Sequence, residues 1–278
     1  MNLQTNRYGK ARVRVFKKIK KDGLHAPKEL NITTLLEGDF GDSYTKDDNK
    51  KIIATDSIKN ITNVLAYHQL GLETESFAMA LCEHYLKKYS HVHSVHVETL
   101  ERVWERQIVN GKPSGTNFVS AGKGAPWTRT VATRDSIERT SGVRELVLLK
   151  TSDSAWEDFL RDDFATLPDT HDRLLATSLT AGWVYQKAPV SYATANANIV
   201  QAMLEVFSTR FSPSVQSTQY QMGMAALNAC PEIIQVSLTM PNLHYLLIDL
   251  TPFNIENDRE LFVPTEAPQG WIESTVVR

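Results

Sequence analysis

The sequence predicts an α+β protein made of two tandem units, each an antiparallel sheet with a pair of helices on one face. Three observations carry this. Several segments alternate apolar and polar residues with period two, as half-buried strands do. Others place apolar residues at helical spacing. The order of these elements in residues 1–137 recurs in 138–278, although the halves share no convincing residue-by-residue identity.

Taken in order, Tyr8 to Phe16 alternates, with Tyr8, Lys10, Arg12 and Arg14 on one face and Ala11, Val13 and Val15 on the other. Leu30 to Leu36 is its expected partner, and the basic run Lys17 to Lys21 reads as a solvated strand end and turn. Thr55-Asp56-Ser57 are start signals for a helix with Ile58, Ile61 and Leu65 on one stripe. A second helix is expected from about Thr74 to Tyr89, with Phe77, Leu81, Tyr85 and Leu86 inward. Strand follows from His93 to Val109, a hairpin turn at Asn110-Gly111, and more strand from Asn117. In the second half Arg144 to Thr151 is a strand, and Ala155 to Arg161 and Thr170 to Thr177 are expected as short helices. Ala181 to Lys187 returns as strand. Val200, Leu204, Phe207 and Phe211 form a helical stripe, and Ser212-Pro213 opens another helix with Ser212 as its cap. Ile233 to Leu238 and Asn242 to Leu250 close as strands around Met240-Pro241. Open sheets leave unpaired edges. Joining those edges between subunits to close a barrel is one remedy, so oligomerisation is expected.

Composition narrows the function. The 278 residues carry a formal net charge of -2, with 42% hydrophobic and 22% charged residues. That is ordinary for a globular protein and lacks the basic surplus of a nucleic-acid binder. Two cysteines, Cys82 and Cys230, sit in apolar stretches and read as buried free thiols of a reducing cytosol. No apolar run is long enough for a transmembrane helix, and no secretory h-region follows the N-terminus. The chain closes on Val276-Val277-Arg278, which is not a peroxisomal Ser-Lys-Leu tail, so a cytoplasmic location is expected. Gly111-Lys112-Pro113 and Gly122-Lys123-Gly124 lack Walker spacing and read as turns; there is no Rossmann fingerprint and no nucleophile elbow.

Several residues invite chemistry. His91, His93 and His96 suggest a metal, but on a strand His96 points away from the other two. Lys10 shares its expected face with Arg12 and Arg14, an arrangement of like charges that disfavours protonation; a solvated lysine is the plainer alternative. Asn242 and His244 share a strand face after a proline, where His244 is either a general base or a satisfied polar partner. Thr55-Asp56-Ser57 and Val215-Gln216 lie at expected helix starts, whose free N–H groups suit an anionic or carbonyl-rich ligand as well as simple capping. Arg173 alone is an ordinary helix arginine.

Together these segments resemble the urate oxidases over nearly the whole chain. Tyr8-Gly9-Lys10 with Val13-Arg14-Val15 is similar to the family's first strand, and Thr55-Asp56-Ser57-Ile58-Lys59-Asn60 to its most recognisable motif. Phe159-Leu160-Arg161-Asp162 with Asp172-Arg173-Leu174 resembles its central block. Ser214-Val215-Gln216 with Tyr220, then Pro241-Asn242-Leu243-His244-Tyr245, resemble the last blocks. The resemblance implies the tunnelling fold, with units 1–137 and 138–278, sheets closing into barrels on oligomerisation, and a homotetramer. It implies cofactor-free oxidation of urate by oxygen and water to 5-hydroxyisourate and hydrogen peroxide, with no metal. It also implies sites at subunit interfaces. Lys10, Thr55 and Asp56 of one chain meet Phe159, Arg173, Val215, Gln216 and Asn242 of its neighbour. Lys10, Thr55 and His244 are the implied catalytic residues; Thr55, Asp56, Phe159, Arg173, Val215, Gln216 and Asn242 bind the purine. Two alternatives are a pterin or GTP enzyme of the same fold, which commonly anchors its base with a glutamate, and a binding tetramer that has lost its chemistry.

Overall fold

In this computed structural model, residues 3–21, 23–122, 124–265 and 267–278 are described. Lys123 of the expected Gly122-Lys123-Gly124 turn lies outside them. The chain divides into two units: Met1–Gly142 with Val184–Thr194, and Val143–Trp183 with Ala195–Arg278.

The first unit begins with two long antiparallel strands, β1 (Tyr8–Lys21) and β2 (Leu24–Gly38). A short helix α1 (Gly41–Thr45) leads to the helix pair α2 (Thr55–Gln69) and α3 (Thr74–Lys88). Strand β3 (Val92–Arg102), a hairpin of β4 (Trp104–Val109) and β5 (Lys112–Ser120), and β6 (Ala125–Ala132) follow. The sheet order is β1-β2-β3-β6, continued by the start of β7 (Ile137–Lys150). Leu30, Ile32, Thr34 and Leu36 of β2 point inward against Ile58 of α2 and Phe77, Leu81 and Tyr85 of α3, all buried. Each such large apolar side chain contributes about 1.5–3 kcal/mol on burial. The Asn110-Gly111 turn forms as expected, with φ of 51° and 74°, the left-handed pair that a two-residue hairpin requires.

The second unit takes the end of β7, then β8 (Leu175–Tyr185), α4 (Tyr192–Thr209) and α5 (Val215–Ala229), with the ends of β8 and α4 shared with the first unit. Strands β9 (Ile233–Thr239), β10 (Asn242–Leu243), β11 (Tyr245–Leu247), β12 (Phe262–Pro264) and β13 (Glu273–Val277) complete it. Here the order is β7-β8-β9-β13, with β10 paired to β8 and β11 to β12. The fold is α+β with antiparallel sheets, each unit carrying two long helices.

Four local expectations need correction. First, β1 does not alternate regularly. Lys10 pairs with Thr34 but Val13 pairs with Ile32, so Ala11 and Arg12 together face one residue, and Arg12 adopts φ 59°. This bulge puts Tyr8 and Lys10 on the inner face with Val13 and Val15, and leaves Arg14 on the outer face, where it meets Glu29 at 3.0 Å. The like-charge face expected for Lys10 with Arg14 therefore does not exist. Second, residues 155–161 and 170–174 are not helical. Isolated main-chain bridges hold them instead, Trp156 to Thr170 and Ser154 to Ser212, and β8 starts at Leu175. Third, the buried stripe of α4 is Ala195, Ile199, Met203 and Phe207, while Phe211 lies beyond the helix and is exposed. Fourth, Ser214 rather than Ser212 caps α5, accepting from Ser217 N at 3.0 Å; Ser212 is buried in the bridge to Ser154 and is not free to cap.

Candidate active site

In the second unit a cavity of about 610 Å³ opens among the end of the 151–174 segment, the start of α5 and the strands after β9. Arg173, Val215, Gln216, Asn242 and His244 all line it. The local folding explains how. Arg173 sits just before β8, where its backbone N donates to Ser154 O at 2.8 Å and its Nε to Ser154 Oγ at 3.3 Å. Its Nη2 is buried and makes no hydrogen bond with the described residues. Burial pulls the Arg173 pKa below the ordinary arginine value, but a guanidinium stays charged at any working pH. Ser214 fixes the first turn of α5 and so presents Val215, buried, and Gln216, exposed, at the helix start. Asn242 follows Pro241 in β10, opposite Thr177, with its N–H donated to Gly270 O at 2.8 Å. Its Nδ2 lies 3.5 Å from His244 Nδ1.

Among the described residues the cavity's ionisable lining is Arg173, Arg259, His244 and Tyr245, and no carboxylate lines it. That charge pattern, with a mostly apolar remainder, suits a flat anion. Phe159 is not in the lining. It stacks on Trp156, which is, at 5.4 Å between centroids and 13° between planes, and the Arg161 guanidinium lies 3.9 Å from its centroid. Sequence reasoning missed Trp156 and Arg259. Trp156 stands three residues before Phe159 and carried a signal as a second aromatic in that block. Arg259 carried none: it reaches the cavity from a loop in which its own φ is 58°.

The first unit holds Lys10, Thr55 and Asp56. Thr55 and Asp56 are the first two residues of α2, whose N-cap, Ala54, has no side chain to cap the helix. The Asp56 carboxylate turns along the helix to Lys59 Nζ at 2.5 Å and Asn60 Nδ2 at 2.9 Å, away from its own N–H. Lys59 holds that carboxyl below its usual range, with a smaller pull from the charge of Lys10. The bulge in β1 makes this possible, because it brings Lys10 to the face that α2 covers. Tyr8 anchors the same stretch: Ile53 N donates to its hydroxyl at 2.8 Å, and the hydroxyl donates to Ile53 O at 3.2 Å. Among the described residues Lys10 and Thr55 are not hydrogen-bonded to each other.

The three expected histidines do not converge. His91 contacts Lys51 O, His93 pairs with Asp39, and His96 with Glu37; no cluster of three or more metal-ligating side chains occurs among the described residues. Cys82 and Cys230 are both free and buried, the Cys82 thiol pushed up to about 12 by burial.

A family model described as Uricase matches residues 6–131 and 139–273. The uricase of Cyberlindnera jadinii is 37% identical over 294 residues, covering 99% of this chain and 97% of the relative. That of Dictyostelium discoideum is 34% identical over 279 residues, again 99% and 97%. The crystal structure of uricase from Arthrobacter globiformis superposes with a TM-score of 0.95 at 31% identity, covering 100% of this chain and 95% of that one.

Proposed function

The chain belongs to the uricase family and oxidises urate with molecular oxygen, and we propose that the cavity of the second unit is the purine-holding half of its active site. The observation that carries this reading is Arg173. A buried guanidinium nitrogen without a protein partner is costly unless a ligand takes its hydrogen bond, and among the described residues Arg173 faces a cavity whose charged lining is cationic. Urate is a planar anion with carbonyls and ring N–H groups. Arg173 gives two parallel hydrogen bonds to one edge. Gln216 donates and accepts on the adjacent edge. Backbone N–H groups at Val215 and Asp56 complete the ring's contacts, and Phe159, held by Trp156, stacks on the purine once Arg161 leaves its ring.

The other half is Lys10, Thr55 and Asp56 from a neighbouring chain, in a homotetramer whose sheets close into barrels. Lys10 removes a proton from bound urate through the Thr55 hydroxyl, by a hydrogen bond that forms when substrate binds. His244 orients Lys10 and carries protons, while Asn242 and Thr55 hold oxygen and then water over the ring. Urate, oxygen and water give 5-hydroxyisourate and hydrogen peroxide; the deprotonated purine is the reductant, so no cofactor takes part. Units 1–137 and 138–278 are the tandem tunnelling units of this reading. Buried free thiols at Cys82 and Cys230 support a reducing, cytoplasmic location. Among the described residues no helix is long and apolar enough to cross a membrane. The relatives described are uricases, so a pterin or GTP activity is not favoured.

Subunit mixing tests the shared site. Thr55→Ala and Arg173→Ala, each nearly inactive alone, are co-assembled. Sites drawing Thr55 from one chain and Arg173 from the other include some with neither defect, so activity returns. If each site were built within one chain, every site would keep a defect, and verified mixed tetramers would stay inactive.

A further inference from the structure

Lys150, the last residue of β7, is a buried cation that lines no part of the cavity. Its Nζ donates to Arg210 O at 2.6 Å, Asp153 O at 3.3 Å and Ser212 Oγ at 3.5 Å, and lies 5.8 Å from the Phe207 ring centroid. All three acceptors are neutral. Burying an ammonium among neutral groups is costly, and desolvation holds this lysine below its ordinary pKa, with the Asp153 charge opposing. A methionine of similar length would fill the same space without that cost, so the charge calls for another reason.

The reason lies in what it ties together. Ser212 N donates to Asp153 O at 2.9 Å, and Ala155 N donates to Ser212 O at 2.9 Å. Segments 153–155 and 210–212 are thereby knotted side by side, with Lys150 Nζ bonded to both. Ser154, fully buried in this knot, receives Arg173 twice, through its backbone N–H and through Nε. Two residues beyond Ser212, Ser214 caps α5, which begins with Val215 and Gln216. The arginine and the helix start that face the cavity therefore hang from one knot.

We propose that Lys150 is a positioning residue for urate: its ammonium sets the 153–155 and 210–212 segments so that Arg173 and the Val215–Gln216 end of α5 meet one purine. This rests on reading the second-unit cavity as the purine-holding half of the site. Lys150 touches no substrate, so its loss acts on affinity more than on the chemical step.

The test measures urate binding by equilibrium dialysis without oxygen, where the substrate stays unreacted, alongside steady-state rates in air. Lys150→Met should raise Kd and KM together by about tenfold, with kcat within about threefold, the size expected for loosening hydrogen bonds at one remove. Ser154→Ala should weaken binding too, and the double variant should fall short of the product of the two effects, because both act along one path. Ile233→Ala, a buried strand substitution off this path, should lower Tm with Kd unchanged. Should Lys150→Met fail to fold, Ser212→Ala decides, with an expected several-fold rise in Kd. Arg173→Ala tests the underlying reading separately. If it loses urate while Lys150→Met and Ser212→Ala bind within about twofold of the parent, or if the double variant is fully multiplicative, the positioning role is overturned. If Arg173→Ala itself binds normally, the cavity reading falls, and this proposal with it.

Discussion

Two one-residue deletions in β1 should have opposite outcomes, because of the bulge at Arg12. Val13 faces Ile32 and Lys10 faces Thr34, with two residues between Lys10 and Val13 but only one between Ile32 and Thr34. Deleting Arg12 restores one-for-one pairing and leaves Lys10 opposite Thr34, on the inner face. It also removes a non-glycine residue held at φ 59°, which relieves about 1–2 kcal/mol. Deleting Phe16, which is itself 60% exposed, shifts every residue before it by one and turns the inner set outward if the bulge is kept; flattening the bulge instead still turns Val13 and Val15 outward and Arg12 and Arg14 inward. Val13 then loses about 1.5–3 kcal/mol and the half-buried Val15 about half as much. Tyr8 loses two hydrogen bonds to Ile53 at about 0.5–1.5 kcal/mol each, and an edge contact with Phe40 worth about as much. The total, about 4–9 kcal/mol, is comparable with the whole stability of a typical domain, about 5–15 kcal/mol. The assay is the fall in urate absorbance, with Tm on the same samples. The Arg12 deletion should keep kcat/KM within about tenfold and Tm at or above the parent's; the Phe16 deletion should lose about 10² or more in rate, or not fold. If the folded Arg12 deletion is as inactive as the Phe16 deletion, Lys10 does not act from the inner face, and the account of the bulge is wrong.

Other outcomes follow from the same geometry. Lys10→Met should cut kcat by about 10²–10⁴ while anaerobic urate affinity changes little; near-normal turnover would remove Lys10 from proton transfer. Exhaustive dialysis against a strong chelator should leave activity intact, and restoration of a lost activity by one metal would refute cofactor-free chemistry. His84 and His96 are both held below the ordinary histidine value of 6.5, chiefly because burial disfavours the cation. The unfolded chain then binds protons that the fold resists. This contribution to stability is whole above 6.5 and is lost as pH falls through the window below it. Tm should drop between about pH 7 and about pH 5, and a His84→Gln, His96→Gln double variant should flatten that drop; an unchanged slope would show that other groups control it.

What the sequence made legible was whatever depends on local pattern. Asn110-Gly111 dictated its turn because few other pairs tolerate two left-handed residues, and α2 and α3 followed their apolar stripes. The face of Lys10 was not legible. A bulge is one residue of mispairing against a partner strand, and nothing in Lys10-Ala11-Arg12-Val13 marks it. The 151–174 segment was misread as helical because its order comes from long-range bridges, Ser154 to Ser212 and Trp156 to Thr170, that no window of sequence contains. Ser212 looked like a helix cap for the same reason. Within the candidate site, the family resemblance supplied Arg173, which local pattern left ordinary. Trp156 and Arg259 needed the folded cavity to be seen.

The two units use one backbone device for different ends. Arg12 stands three residues after Gly9 and Glu145 three residues after Gly142, and both adopt left-handed φ, 59° and 57°, in the first long strand of their half. The side chains beside the device have diverged. Lys10 follows Gly9, whereas Val143 follows Gly142. Helix α2 begins with Thr55-Asp56, exposed, whereas α4 begins with Tyr192-Ala193, the tyrosine buried. Conversely, α5 begins with Val215 and an exposed Gln216, whereas α3 begins with Thr74 and Glu75, both buried, with Ser141 Oγ donating to Glu75 at 2.7 Å. On the proposed reading one half thus keeps the proton-handling residues and the other the purine clamp, and the positions matching each in the other half hold different side chains. A site that needs both sets must draw on one unit of each kind. Val143→Lys alone would therefore not create a second active site, since α4 begins with a buried tyrosine, Tyr192, where α2 begins with the exposed Thr55.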